Sequence, residues 1–149
     1  TNAKGDSSGP LLRTLVAAGV RVNVTAVLTV EQVRDAARQL HPDVAAIVSV
    51  FGGRIADTGR DPVPTMKEAL AILKPLPRAK LLWASPRELL NVVQADQIGC
   101  HIITLTPDIL QKLAWIGKDL TRLSLETVRM FHNDVQAAGY ALGAAREEH

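Results

Sequence analysis

Small polar and cationic side chains recur at four places along the sequence, each at or just beyond the end of an apolar run. They are Asn23 with Thr25, Ser49 with Arg54, Ser85 with Arg87, and Thr104 with Thr106. An amide both donates and accepts toward hydroxyl groups, and a short hydroxyl orients a water molecule. An arginine presents a fork of donors to two phosphate oxygens, so two forks and a hydroxyl suffice to hold a phosphate group without a metal. Other chemistries lack their residues. His41, His101, His132 and His149 show neither H-x-x-x-H nor H-E-x-x-H spacing, so no metal site and no cofactor are expected. Neither G-x-G-x-x-G nor G-x-x-x-x-G-K-[ST] occurs, which argues against a Rossmann or P-loop nucleotide site. The single cysteine, Cys100, precludes an internal disulfide and reads as a buried structural thiol. Side chains of Cys100 and His101, adjacent in a strand, would point to opposite faces and could not share one ion.

The elements that must carry these residues follow one another regularly. Pro10 opens a helix that ends at Gly19, with Ser8 or Gly9 near its cap. Val20 to Leu28 alternates as a strand, and Thr29 caps a helix with apolar positions at Val30, Val33, Ala36, Ala37 and Leu40. Ala45 to Phe51 reads as a strand covered on both faces, followed by the irregular stretch GGRIADTGRDPVP. Thr65 to Leu73 is a helix, Lys80 to Ala84 a buried strand, Pro86 to Ile98 a helix, and His101 to Thr106 the last strand. Pro107 starts DILQKLAWIG, and after a charged turn, KDLTR, a long helix capped by Ser124 runs to about Leu142. Met130 and Phe131 lie on its face, while Trp83 and Trp115 are expected in core or interface packing. The organisation expected is a single domain over residues 1–149: a loop over 1–9, βα units over 10–117, a terminal helical segment over 118–142 and a tail over 143–149.

Composition sets the class. A chain of 149 residues, 47% hydrophobic and 21% charged, can bury a sizeable core. Aromatics make up only 3%, and seventeen Lys and Arg against fifteen Asp and Glu leave a net charge of +2, so nucleic acid is not an expected partner. No uncharged apolar run approaches the roughly 20 residues of a membrane span. The first residue is Thr1 rather than Met, and TNAKGDSSGP has no apolar signal core. A cytoplasmic protein without its natural start is therefore expected. Strands alternating with helices require parallel pairing. Four such strands are half of a βα barrel or enough for a small open sheet, and polar groups recurring at the strand ends favour the barrel.

Those same residues carry a resemblance. VNVTAVLT, IVSVFGGRIAD, LLWASPRE and IITLTPDIL, followed by the long helix LSLETVRMFHNDVQAAGYAL, resemble the strand-end motifs of the transaldolase family, which includes the small fructose-6-phosphate aldolases. The resemblance runs from about Leu11 to Leu142 and corresponds to the C-terminal half of the family barrel. It implies an α/β fold of the parallel βα TIM-barrel type, present as four βα units with a long C-terminal helix.

The family's chemistry is a Schiff base between a strand lysine and a ketose phosphate, followed by aldol cleavage or transfer of a dihydroxyacetone unit. The lysine belongs to a motif resembling K-x-P-x-T, of which Thr1 matches the last letter, so the nucleophile is expected outside this chain. Lys4, in a polar loop, lacks the desolvation a Schiff-base amine needs. The resemblance assigns Thr25 and Asn23 to the catalytic water and the substrate hydroxyls, and Ser49 and Phe51 to the cavity lining. Arg54, Ser85 and Arg87 match the phosphate grip. Val50 stands where the family often has proline, and Pro86 where an aromatic is common, which alters the pocket shape. The intact protein is expected to be an enzyme on sugar phosphates and this chain alone inactive, with a homo-oligomer or a missing N-terminal half completing it. The rival reading is a non-catalytic sugar-phosphate-binding or assembly module. An isomerase or epimerase barrel would need a base at a strand end, and no Asp, Glu or His occupies one.

Overall fold

The computed structural model describes residues 1 and 3–139. Its elements run α1 (Gly9–Ala17), β1 (Val22–Val27), α2 (Val30–Ala37), β2 (Ala46–Val50), α3 (Gly52–Ala56), α4 (Pro62–Leu73), β3 (Ala79–Trp83), α5 (Leu89–Gln97), β4 (Ile102–Ile103), α6 (Pro107–Gln111) and α7 (Leu120–Ala137). A 3-10 turn at Lys112–Trp115 follows α6. The chain divides into two compact units, Thr1–Leu113 and Ala114–His149.

In the first unit the four strands form one parallel sheet in the order β1-β2-β3-β4. Strands joined through helices pair in chain order, as in a partial βα barrel. Val24, Val48 and Leu81 stand in one register row. Their face of the sheet packs with Val33 of α2, Met66, Ala69 and Leu73 of α4, and Ala95 of α5 to make the core. Alternation turns the intervening residues to the opposite face. There Asn23, Ile47 and Lys80 form one row, and Ser49, Leu82 and Ile102 the next. Trp83 closes the core at the end of β3 and is fully buried.

Local chemistry explains most element ends. The Thr29 hydroxyl accepts from the Gln32 amide at 3.2 Å while the Gln32 side chain accepts from the Thr29 amide at 3.1 Å, a complete capping box. The expected irregular stretch after β2 instead contains α3, and α4 starts at Pro62 rather than Thr65. Asp61 caps it by accepting from the Val63 amide at 2.9 Å, and Pro62 arrives with a helical φ. The last strand shrinks from His101–Thr106 to two residues. The His101 imidazole Nδ1 accepts from the Leu81 amide at 3.1 Å, a donor that a longer β4 would pair through a backbone carbonyl.

In the second unit α7 begins at Leu120, not after a turn at KDLTR. Asp119 is its cap, accepting from the Arg122 amide at 2.8 Å, and Ser124 lies inside the helix. The expected end at Leu142, the tail over 143–149 and His149 lie outside the described residues. Trp115, expected in packing, is half exposed, with the Lys118 ammonium 4.9 Å from its ring centroid. Among the described residues no helix is long and apolar enough to cross a membrane.

Candidate functional site

Parallel pairing lines up the polar residues of β1 and β2. Asn23 stands opposite Ile47, and Ser49, two positions on, shares its face of the sheet. The Ser49 hydroxyl, buried, donates to Asn23 Oδ1 at 2.7 Å. That bond uses the amide's acceptor and leaves its NH2 to donate elsewhere. Thr25 is exposed on β1 immediately before Ala26, which adopts a φ of +60° where the β1–β2 register shifts. A left-handed alanine is strained, and the irregularity re-aims the chain at the strand end.

The second group of residues gathers where β2 and β3 end. β2 leads through Phe51, whose amide donates to the Val27 carbonyl at 2.8 Å, into the Gly52-Gly53 doublet that opens α3. A Cβ on Gly52 would lie 2.5 Å from the Trp83 indole nitrogen, and one on Gly53 only 1.4 Å from the Ser85 carbonyl oxygen. Glycine is needed at Gly52 because the buried Trp83 ring fills the space, and at Gly53 because the two backbones touch. Ser85 itself has a φ of +56°, another strained position at the mouth of the sheet. The first turn of α3 thus sits directly on the β3–α5 loop, which sets Asp57 against Arg87, with Arg54 near enough for its charge to act on the same carboxyl.

Arg87 and Asp57 form a two-pronged ion pair. Arg87 Nε donates to Asp57 Oδ1 at 2.8 Å and Nη2 to Oδ2 at 2.5 Å. The hydrogen bond from Arg87 holds the Asp57 carboxyl below its ordinary range, with the Arg87 and Arg54 charges adding to it against a smaller desolvation effect. The same bond raises Arg87. Both side chains are about half exposed, so solvent screens the pair and its contribution to stability is modest. The Arg54 guanidinium lies 5.5 Å from the Phe51 ring centroid, a cation–π contact against a half-buried ring. At the backbone end, Asn91 Oδ1 accepts from the Arg87 amide at 2.8 Å and the Glu88 amide at 3.3 Å.

The expected residues therefore fall into two sets: Asn23 bonded to Ser49 with Thr25 nearby in the chain, and Arg54 and Arg87 around one carboxylate, with Ser85 in the loop that Gly53 touches. Phe51 links them along β2. Thr104 and Thr106 serve other ends. The Thr104 amide donates to the Trp83 carbonyl at 3.1 Å, and Thr106 precedes α6, where its hydroxyl lowers the pKa of the Asp108 carboxyl. Two participants escaped the sequence reading. Asp57 lies three residues beyond Arg54, one helical turn on, and Asn91 occupies the third helical position of α5, where capping side chains reach back. Lys80 shares the Asn23 face of the sheet and is exposed. Cys100 is half buried, its thiol 3.4 Å from the Ile102 carbonyl oxygen, and burial pushes its pKa up.

A family model described as Transaldolase/Fructose-6-phosphate aldolase matches residues 6–142. A "Probable transaldolase" of Nitrosopumilus maritimus (strain SCM1) is 35% identical over 116 residues, covering 76% of this chain and 50% of that protein. A "Probable transaldolase" of Desulforudis audaxviator (strain MP104C) is 35% identical over 109 residues, 72% of this chain and 47% of its own. One of Herpetosiphon aurantiacus is 30% identical over 117 residues, 78% and 50% respectively. The chain spans about half the length of the curated relatives it matches.

Proposed function

The chain belongs to the transaldolase/fructose-6-phosphate aldolase family, and on that premise we propose that it forms the substrate-holding half of a transaldolase-type, Schiff-base aldol enzyme acting on sugar phosphates. The observation that supports this reading is the seating of Gly53 against the Ser85 carbonyl, beside which Arg87 is held by Asp57 and Arg54 lies near enough for its charge to act on the same carboxylate. Arg54 and Arg87 would take the terminal phosphate, with Ser85 adding a hydroxyl donor.

Asn23, oriented by Ser49, would address the sugar hydroxyls with its NH2, and Thr25 would orient the water needed to form and hydrolyse the imine. The reacting lysine is supplied from outside these residues. Lys4 sits in an exposed turn far along the chain from any strand end, and Lys80 is exposed at the start of β3, away from the ends that gather the site. Both are exposed residues, outside any enclosed pocket of the kind a Schiff-base nucleophile occupies. Alone, the chain would bind without turning over. A cytoplasmic setting belongs to the same proposal.

The test compares Arg87→Ala with the parent in binding of fructose 6-phosphate and of fructose. Losing charge-assisted hydrogen bonds should weaken the phosphorylated sugar by about tenfold or more and leave fructose unchanged. An equal loss for both sugars would contradict the assignment.

A further inference from the structure

We propose that Asp57 is a positioning residue for the phosphoryl group of the ligand: it clamps one edge of the Arg87 guanidinium and so aims the remaining donors outward. This deepens the reading above and rests on it. A guanidinium carries five N–H donors in a fixed planar fork. Asp57 takes two of them, on the edge formed by Nε and Nη2. Three remain, all at the tip of the fork, and among the described residues no other acceptor engages them.

The backbone end of Arg87 is fixed as well. Its amide donates to Asn91, a buried polar side chain only 5% exposed, so the residue is held at both its root and its head. Arginine has among the largest rotamer freedoms of any side chain, and freedom lost before the ligand arrives need not be lost on binding. The carboxylate is ionised through the physiological range, and the bond from Arg87 moves its pKa further down.

Charge and geometry make opposite demands. Arg54, Arg87 and Asp57 together carry a formal charge of +1, and without Asp57 the same site would carry +2. If Asp57 acted only as a counter-ion, its removal would strengthen anion binding. If it positions Arg87, removal would weaken binding despite the added positive charge.

The decisive measurement is calorimetric titration of fructose 6-phosphate and of inorganic phosphate into the chain and its Asp57→Ala and Arg87→Ala variants. Asp57→Ala should bind both ligands about tenfold more weakly, with fructose unaffected. Affinity that is unchanged or increased in Asp57→Ala, while Arg87→Ala is weakened, overturns the positioning role and leaves the phosphate grip standing. Unchanged affinity in Arg87→Ala overturns both. A second readout uses the unaltered protein. The Arg87 Nε–H resonance, slow to exchange while bonded to Asp57, should persist at saturating phosphate, and its loss would show that the ligand displaces Asp57 and would reject the inference.

Discussion

The carbonyl oxygen of Ser85 occupies the space that a side chain on Gly53 would need, 1.4 Å from where its Cβ would stand. The contact joins the first turn of α3 to the loop after β3. Gly53→Ala cannot be absorbed by a rotamer change, because the obstacle is backbone. Overpacking of this kind costs about 1 to 3 kcal/mol. A lowered urea midpoint, with weaker fructose 6-phosphate binding than the stability loss alone explains, is expected. A variant as stable as the parent and binding equally well would show that the contact is dispensable.

Acid should weaken the Asp57–Arg87 pair in a defined direction. The folded-state pKa of Asp57 lies below its ordinary value of 3.8, so the pair's contribution is fully present above that value and is lost as pH falls through the folded pKa. The urea midpoints of the parent and of Asp57→Asn should therefore differ at pH 7 and converge toward pH 3. A gap that persists unchanged at pH 3 would mean that ionisation of Asp57 contributes nothing.

Imine trapping checks the proposed incompleteness of the site. Incubation of the 149-residue chain with fructose 6-phosphate and borohydride should leave its mass unchanged, since Lys4, Lys67, Lys74, Lys80 and Lys112 are exposed residues and Lys118 is ion-paired with Glu126. An adduct mapped to Lys80, which shares the Asn23 face of the sheet, would place the nucleophile inside the chain after all.

Among the described residues the sheet has two outer strands, β1 bonded only to β2 and β4 only to β3, and its second face carries Ile47, Leu82 and Ile102. Open edges invite pairing, and burial of roughly 1,000 Å² or more would give a stable interface. On the second unit, Leu120, Val128 and Phe131 of α7 are exposed by 77%, 60% and 59%. Sedimentation at micromolar concentration should show an assembly larger than 16.0 kDa. A compact monomer at that mass would refute the expectation.

Periodicity is a local property of the chain, and what it governs was legible without coordinates. The alternation of β-branched runs with helical spacing determined four parallel strands separated by helices, and Thr29 was recognisable as a cap because it stands immediately before apolar positions at helical spacing. Asn23, Ser49, Arg54, Ser85 and Arg87 stood out because each falls at or after an apolar run. The contacts among them were decided by the tertiary structure. Asn23 and Ser49 meet across 26 residues through the β1–β2 register, and Asp57 meets Arg87 across 30 because two glycines let α3 press on a loop whose Ser85 is left-handed. The same holds for β4, shortened where the His101 ring takes a ladder hydrogen bond from Leu81, 20 residues earlier. Such pairings depend on strand register and close backbone approach, which arise only when separate elements pack, so no spacing along the chain encodes them.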